Sequence, residues 1–399
     1  MLRLGFVITT RINFENSVRV GFAARKEVKM NKNKLSNPVR LIAFFLTTLV
    51  LICTFGFTVD GWQIDGSIID GDDIGMFPTT SDKENEEDTT VNNTPDEPDI
   101  YIPEFVDRIT GLEVSEEISK NAHLSFVMNP NLPSYGISSA DLLCEVSTEN
   151  GSRYIAFIND TQNLWKIGSL TQTRGYISNI SKYFGAISVS SGNDDSIYYT
   201  GCDTKGSSID LTLGGYHYTE YTNNIYTNRD LLDKAILSSG INRSNIILGA
   251  LPYDFAEFGT EYIMPEGKTA NKVTVTRGKD SSGELVYNAE EKHYTLYKNG
   301  QLLTDSLNGK TAYFTNCFVL FADSITYDNA NCSQMVMDTL GQGSGFYFTE
   351  GKAIEIFWIG TEEGTLNFYT SDGERLTANR GKSYISFIKS SITDSLLFQ

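Results

Sequence analysis

Seven polar side chains have the best capacity for chemistry in this chain: Asp141, Glu145, Glu149, Arg153, Arg174, Asn224 and Tyr226. They come from separate segments that a fold can gather around one ligand. In a shared cleft, Glu145 or Asp141 would act as general acid or base, and Arg174 would clamp an anionic group. The same residue types also suit a purely structural role. Arg153 follows a tight turn and Asp141 precedes a strand, so ion pairs and caps would account for both. No G-x-S-x-G elbow or H-E-x-x-H helix accompanies them. His123, His217 and His293 stand far apart among aromatic or apolar neighbours and read as ordinary core or surface residues. No metal and no cofactor is therefore assigned. Gly341-Gln342-Gly343-Ser344-Gly345 has the glycine content of a phosphate loop. Such a loop needs a helix start behind it to present N–H groups, and here the strand-like FYFTEG follows. The glycines then permit a bulge or a close backbone approach.

The elements that position these residues are readable from periodicity. Leu142–Asn159, LLCEVSTE-NG-SRYIAFIN, alternates on both sides of Asn150-Gly151 and predicts a hairpin with a two-residue turn. In that hairpin Cys144 and Val146 share a face with Arg153, Ile155 and Phe157, while Glu145 and Ser147 share the other with Tyr154. In SLTQTRGYISNISKYF, residues Tyr176, Ile177, Ile180, Tyr183 and Phe184 recur at helical spacing, with Arg174 near the helix start. Ala186–Ser190 reads as a buried strand. Thr227 or Asn228 caps a second helix that Gly240 ends. Hairpin, helix, strand and helix make residues 104–255 a mixed α/β half. Residues 265–392 alternate with period two between turns at Asn299-Gly300, Glu350-Gly351 and Asp372-Gly373, which predicts an antiparallel β-rich half.

The N-terminal 103 residues supply an address. Leu41–Phe57 is an apolar run of seventeen residues without a charge, at the lower edge of a membrane-spanning helix. Residues 1–40 carry nine Lys/Arg against two Asp/Glu, so this end is expected in the cytoplasm and the remainder outside. Met30 opens a short basic flank and reads as the true start of an export signal, with residues 1–29 an upstream extension or, alternatively, a longer cytoplasmic tail. Cys53 follows Val50-Leu51-Ile52, too bulky for lipid attachment. An uncleaved single-pass anchor is the expectation, with cleavage near Gly56–Thr58 as the alternative. Taking the +7 of residues 1–40 from −18 overall leaves −25 on residues 41–399, which excludes nucleic acid as a partner of the outer part. Residues 60–99 hold 13 Asp/Glu against Lys83 alone, and residues 58–103 read as an acidic, disordered spacer. Five cysteines occur without a C-x-x-C pair. Outside the anchor they read as buried thiols, with a Cys317–Cys332 bridge as the alternative.

Four stretches in fixed order resemble one family. Ile109–Ile118 (ITGLEVSEEI), Tyr135–Glu145 (YGISSADLLCE), Gly168–Tyr176 (GSLTQTRGY) and Asn223–Asn228 (NNIYTN) are similar to the YerB-like family of bacterial envelope lipoproteins, over nearly all of residues 105–390. The resemblance implies a layered β-β-α sandwich for the first domain and a separate β-rich second domain, an α+β chain in sum. It implies no known reaction. The seven polar positions retain the family's polar character. Elsewhere the chain departs from it: Thr171 replaces an Arg, Ser190-Ser191-Gly192-Asn193 replaces a His-bearing strand end, and Asn223 replaces a second His. These losses favour a binding or scaffold protein at the cell membrane. Its ligand would be a cell-wall glycan or another membrane protein, met by exposed Tyr and Trp surfaces. An envelope hydrolase using Glu145 or Asp141 with Arg174 is the alternative.

Overall fold

Alternating apolar residues make strands the dominant element of the computed structural model. It describes residues 100–399 apart from 150, 194–207, 221–223, 247–248, 262–263, 265, 279–280, 329–332 and 391–393. The predicted cytoplasmic segment, the apolar run 41–57 and the acidic spacer up to residue 99 lie outside the described residues, as do Cys202, Asn223 and Cys332. Among the described residues no helix is long and apolar enough to cross a membrane.

The first half contributes β1 (Leu124–Met128), β2 (Leu142–Thr148), β3 (Gly151–Ile158), β4 (Ile167–Leu170), helix α1 (Gly175–Tyr183), β5 (Ile187–Ser190), β6 (Asn224–Thr227) and helix α2 (Arg229–Ser239). The second half adds β7 (Lys272–Arg277), β8 (Ser281–Asn288), β9 (His293–Lys298), β10 (Asn316–Ala322), β11 (Gln342–Thr349), β12 (Lys352–Gly360), β13 (Ser383–Lys389) and β14 (Asp394–Phe398). Along the large sheet the order is β12-β11-β10-β13-β2-β3-β1-β4-β6. A six-stranded sheet contains the run β9-β8-β7-β14, with β14 at its end.

Two expectations change here. The two halves, expected as separate domains, share the large sheet, because β13 inserts between β10 and β2. The second half is also not wholly antiparallel, since β13 runs parallel to both of those neighbours. Its residues Ser383–Ile388 are all buried. A strand covered on both faces needs no polar alternation, so SYISFI carries no periodic sign of its central position.

The hairpin of β2 and β3 keeps its predicted faces with a shifted register. Thr148 pairs with Gly151, Glu145 with Tyr154 and Cys144 with Ile155, so the connection lies one residue earlier than Asn150-Gly151. A pairing shift of two residues preserves which face each side chain takes. Consequently Leu143 and Tyr154 enter one core and Cys144, Val146, Ile155 and Phe157 the other. The first core joins the large sheet to the six-stranded sheet through Val273, Val275, Leu285 and Leu296. On the opposite face α1 packs Tyr176, Ile177, Ile180 and Tyr183. Helix α2 is capped by Asn228, whose side chain accepts the Leu231 N–H at 3.0 Å. Cys144 and Cys317 are buried free thiols, and Cys332, the partner in the alternative bridge, lies outside the described residues.

Gly343 lies within β11, as expected of a close-approach glycine and not of a phosphate loop. A Cβ there would fall 2.6 Å from the Trp358 indole nitrogen and against the Phe321 carbonyl that this nitrogen donates to. Gly343→Ala is expected to lower unfolding free energy by about 1–3 kcal/mol through overpacking. Chemical denaturation checks it, and a loss under about 0.5 kcal/mol would refute the close-approach argument.

Candidate functional site

Glu145 sits on β2 at a position facing the six-stranded sheet, and its side chain has 0% exposure. Its Oε2 lies 3.1 Å from Arg277 Nη2 and accepts the Tyr384 hydroxyl at 2.5 Å. Its Oε1 accepts from Lys298 Nζ at 2.7 Å and from Ser152 Oγ at 2.5 Å. Lys298 also donates to Ser152 and Ser281, and Arg277 to Ser386 and Tyr384. Burial alone would raise the Glu145 pKa, but the Arg277 and Lys298 charges and the two donors to Oε1 hold it down at about 2. Burial would likewise lower Arg277, and Glu145 more than offsets this, so its pKa is raised. The group is thus a fixed, ionised clamp between the two sheets. Arg277 Nε and Nη1 and the Tyr154 hydroxyl make no hydrogen bond among the described residues.

A second pair holds the hairpin tip to α1. Arg174, the N-cap residue of α1, forks onto both carboxylate oxygens of Glu149 at 2.6 Å each. Such a planar two-point pair is the strong form of this contact. The Glu149 oxygens also accept the Met335 N–H at 3.4 Å, and Arg174 approaches the Tyr176 hydroxyl at 3.4 Å. Burial would raise the Glu149 pKa, but the hydrogen bonds from Arg174 lower it. Arg153 lies near this group and donates to the Gln172 carbonyl at 2.8 Å.

Asp141 belongs elsewhere. It precedes β2 and its Oδ2 lies 3.4 Å from His123 Nε2, which is 3.1 Å from Asp107 Oδ2. Burial would lower the His123 pKa, but Asp107 and then Asp141 outweigh that and lift it to about 9. Asp107 is held below the usual carboxylate range: burial opposes this, and His123, Asn159 and the Thr110 N–H overcome it. This is the cluster among the described residues whose donors could hold a metal ion.

Asn224 and Tyr226 lie on β6 in a fourth environment. The Tyr226 ring packs edge-on to Tyr135 at 5.5 Å and tilted against Tyr218 at 5.9 Å. Lys166 Nζ stands over both Tyr135 and Tyr226, 3.9 Å and 4.1 Å from their centroids, and pairs with Glu220 at 2.5 Å. Trp165, next in the chain, is 76% exposed. Gly168 supports this aromatic group from behind: its φ is +139°, and a Cβ would meet the Ile225 carbonyl at 2.8 Å and the Tyr226 ring at 2.9 Å.

The seven predicted residues therefore divide among four places. Glu149, Arg153 and Arg174 come together, as do Asn224 and Tyr226, while Glu145 and Asp141 each join a separate cluster. Sequence reasoning missed Arg277, Lys298 and Tyr384 as the partners of Glu145. A signal existed: Arg277 continues the inward series Val273, Val275, and Lys298 the series Tyr294, Leu296. A charge at an inward strand position requires a buried counter-charge. His123 and Asp107 gave no such signal, being isolated in sequence.

Two family models match the chain. One, described as the N-terminal domain of a protein of unknown function, DUF3048, covers residues 109–242; the other, the DUF3048 C-terminal domain, covers residues 273–385. Among solved structures, the YerB protein from Bacillus subtilis is similar with a TM-score of 0.60 and 20% identity, over 73% of this chain and 99% of that one. At that identity the likeness concerns the fold. No curated protein matches the chain.

Proposed function

This chain belongs to the DUF3048 family, whose function is unknown, and from that premise we propose that it is a membrane-anchored, extracytoplasmic binding protein for a cell-wall glycan. Its anchor is the apolar run 41–57, and its outer part is a layered β-β-α body with α1 as the helical layer. The observation that carries the binding assignment is the exposed Trp165, followed in the chain by Lys166, which lies over Tyr135 and the buried Tyr226. Aromatic faces with a polar rim suit the apolar faces and hydroxyl edges of sugar rings.

The hydrolase alternative loses Glu145 as its acid. A general acid must hold a proton near neutral pH and reach its substrate. Glu145 is ionised down to about pH 2 and is wholly buried. Arg174 is spoken for by Glu149. Substituting these residues tests stability and not ligand contact, so Trp165 is the informative position.

The full chain in detergent is expected to co-sediment with isolated cell-wall sacculi, and Trp165→Ala to lose most of that binding. The variant's thermal unfolding should stay within about 0.5 kcal/mol of wild type, because the side chain is solvent-facing. Undiminished binding by the variant would remove the aromatic surface from the assignment. No binding by wild type would sink the glycan ligand and leave another membrane protein as the partner class.

A further inference from the structure

Three side chains with no part in the aromatic surface converge at the starts of two strands of the large sheet. Asp107 comes from the loop at the start of the described residues, His123 immediately precedes β1, and Asp141 immediately precedes β2. One donor atom from each lies within 4.8 Å of the other two. His123 is 2% exposed, and its Nε2 is buried without a hydrogen bond of acceptable geometry, although a carboxylate oxygen stands on each of two sides. The ring nitrogen is thus aimed into the cluster, between the two carboxylates.

We propose that Asp107, His123 and Asp141 bind a divalent transition-metal ion of the zinc class. One imidazole nitrogen with two carboxylate oxygens is a donor set that such borderline ions accept. Metal–donor bonds of about 2.0–2.2 Å place neighbouring donors about 2.9 Å apart at right angles and about 3.4 Å apart at tetrahedral angles. The two observed nitrogen–oxygen separations, 3.1 Å and 3.4 Å, fall in that interval.

An outer layer already orients the donors. Asp107 Oδ1 accepts the N–H groups of Ile109 and Thr110 at 2.9 Å each, which leaves Oδ2 facing His123. Asn159 donates its side-chain N–H to Asp107 Oδ2 and its backbone N–H to Asp141 Oδ2, both at 3.0 Å. Arg243 in turn donates to the Asn159 side-chain and backbone oxygens at 3.0 Å and 2.8 Å. Supporting contacts of this kind fix ligand orientation and tune affinity. The side chain of Asp141 is 21% exposed against 2–3% for the other two, so its edge gives an ion its entry and a water its coordination position. A bound ion would tie the loop at Asp107 to the starts of two central strands.

The test uses the metal-freed full chain and Co²⁺ and Zn²⁺ as probes. Equilibrium dialysis should give one Zn²⁺ per chain, Co²⁺ should produce visible absorption bands, and Zn²⁺ should raise the thermal midpoint. His123→Gln and Asp141→Asn should each abolish the stoichiometric ion, Asn159→Ala should weaken it about tenfold or more, and His293→Gln should leave it unchanged. Absence of a stoichiometric ion in wild type overturns the site and leaves an imidazolium held by two carboxylates. Retention of the ion by both ligand variants, with wild-type circular dichroism, overturns it as well. Paramagnetic NMR of the Co²⁺-loaded wild type needs no variant: shifted resonances from an imidazole ring support the site, and their absence refutes it. These readouts are independent of sacculus binding, so the two proposals fail separately.

Discussion

Glu145→Ala should cost about 3–5 kcal/mol of unfolding free energy, the largest effect expected of any single change to a polar residue here. The side chain is wholly buried and faces two cations, Arg277 and Lys298. Removing it leaves both charges without their counter-ion in a closed interior, and leaves the Tyr384 hydroxyl proton without its acceptor. Among the described residues two Arg277 side-chain nitrogens already lack hydrogen-bond partners, so it has little with which to compensate. For a unit of this size the thermal midpoint should fall on the order of 10 °C. Replacing the set together, Glu145→Leu with Arg277→Met and Lys298→Met, should recover most of the loss, since desolvation of the ions disappears along with their attraction. Differential scanning calorimetry of the single and triple variants checks both. A single variant within about 1 kcal/mol of wild type would show that the cluster is not a clamp.

Acid should dismantle the same clamp over a defined window. The folded Glu145 titrates at about 2, below its ordinary value of 4.5. Between those values the unfolded chain binds a proton that the folded chain does not, so stability rises with pH there and falls on acidification. The contribution is fully present above about pH 4.5 and is lost as the pH drops through 2, a change of about 3 kcal/mol. Asp107 and Glu149 are also held low in the folded state and act in the same direction. Urea midpoints measured between pH 6 and pH 2 should therefore fall steeply below pH 4.5. In Glu145→Gln the slope should be smaller by up to one proton. An equal slope in wild type and variant would remove Glu145 from the acid response.

Much of the local structure was legible because it follows from neighbours in the chain. The α1 stripe, the Asn228 cap and the alternation on β2 and β3 depend on periods of 3.6 and 2, and these appear where predicted. The hairpin register slipped by two residues. Glu149, read as a strand residue, closes the turn and reaches Arg174 at the start of α1. That contact lies 25 residues away in sequence, beyond the reach of any turn preference.

The polar site was legible only as a set of residue types. Asp141, Glu145 and Glu149 recur at even spacing in the sequence, which invites the thought of a single cleft. The structure gives each a different partner, because only Glu145 lies within the strand, facing the six-stranded sheet; Glu149 lies in the turn after it and meets Arg174 at the start of α1, and Asp141 lies before it and meets His123 and the loop carrying Asp107. By itself the sequence determined the strand and helix periods, the family, the acidic charge and the face that each hairpin residue takes. All of these depend on residue type and short-range spacing. Only the tertiary structure decided that β13 joins the halves into one sheet, that Arg277 and Lys298 neutralise Glu145, and that His123 meets two aspartates. Such pairings are set by which distant strands lie side by side, and a buried charge must take whatever partner that arrangement supplies.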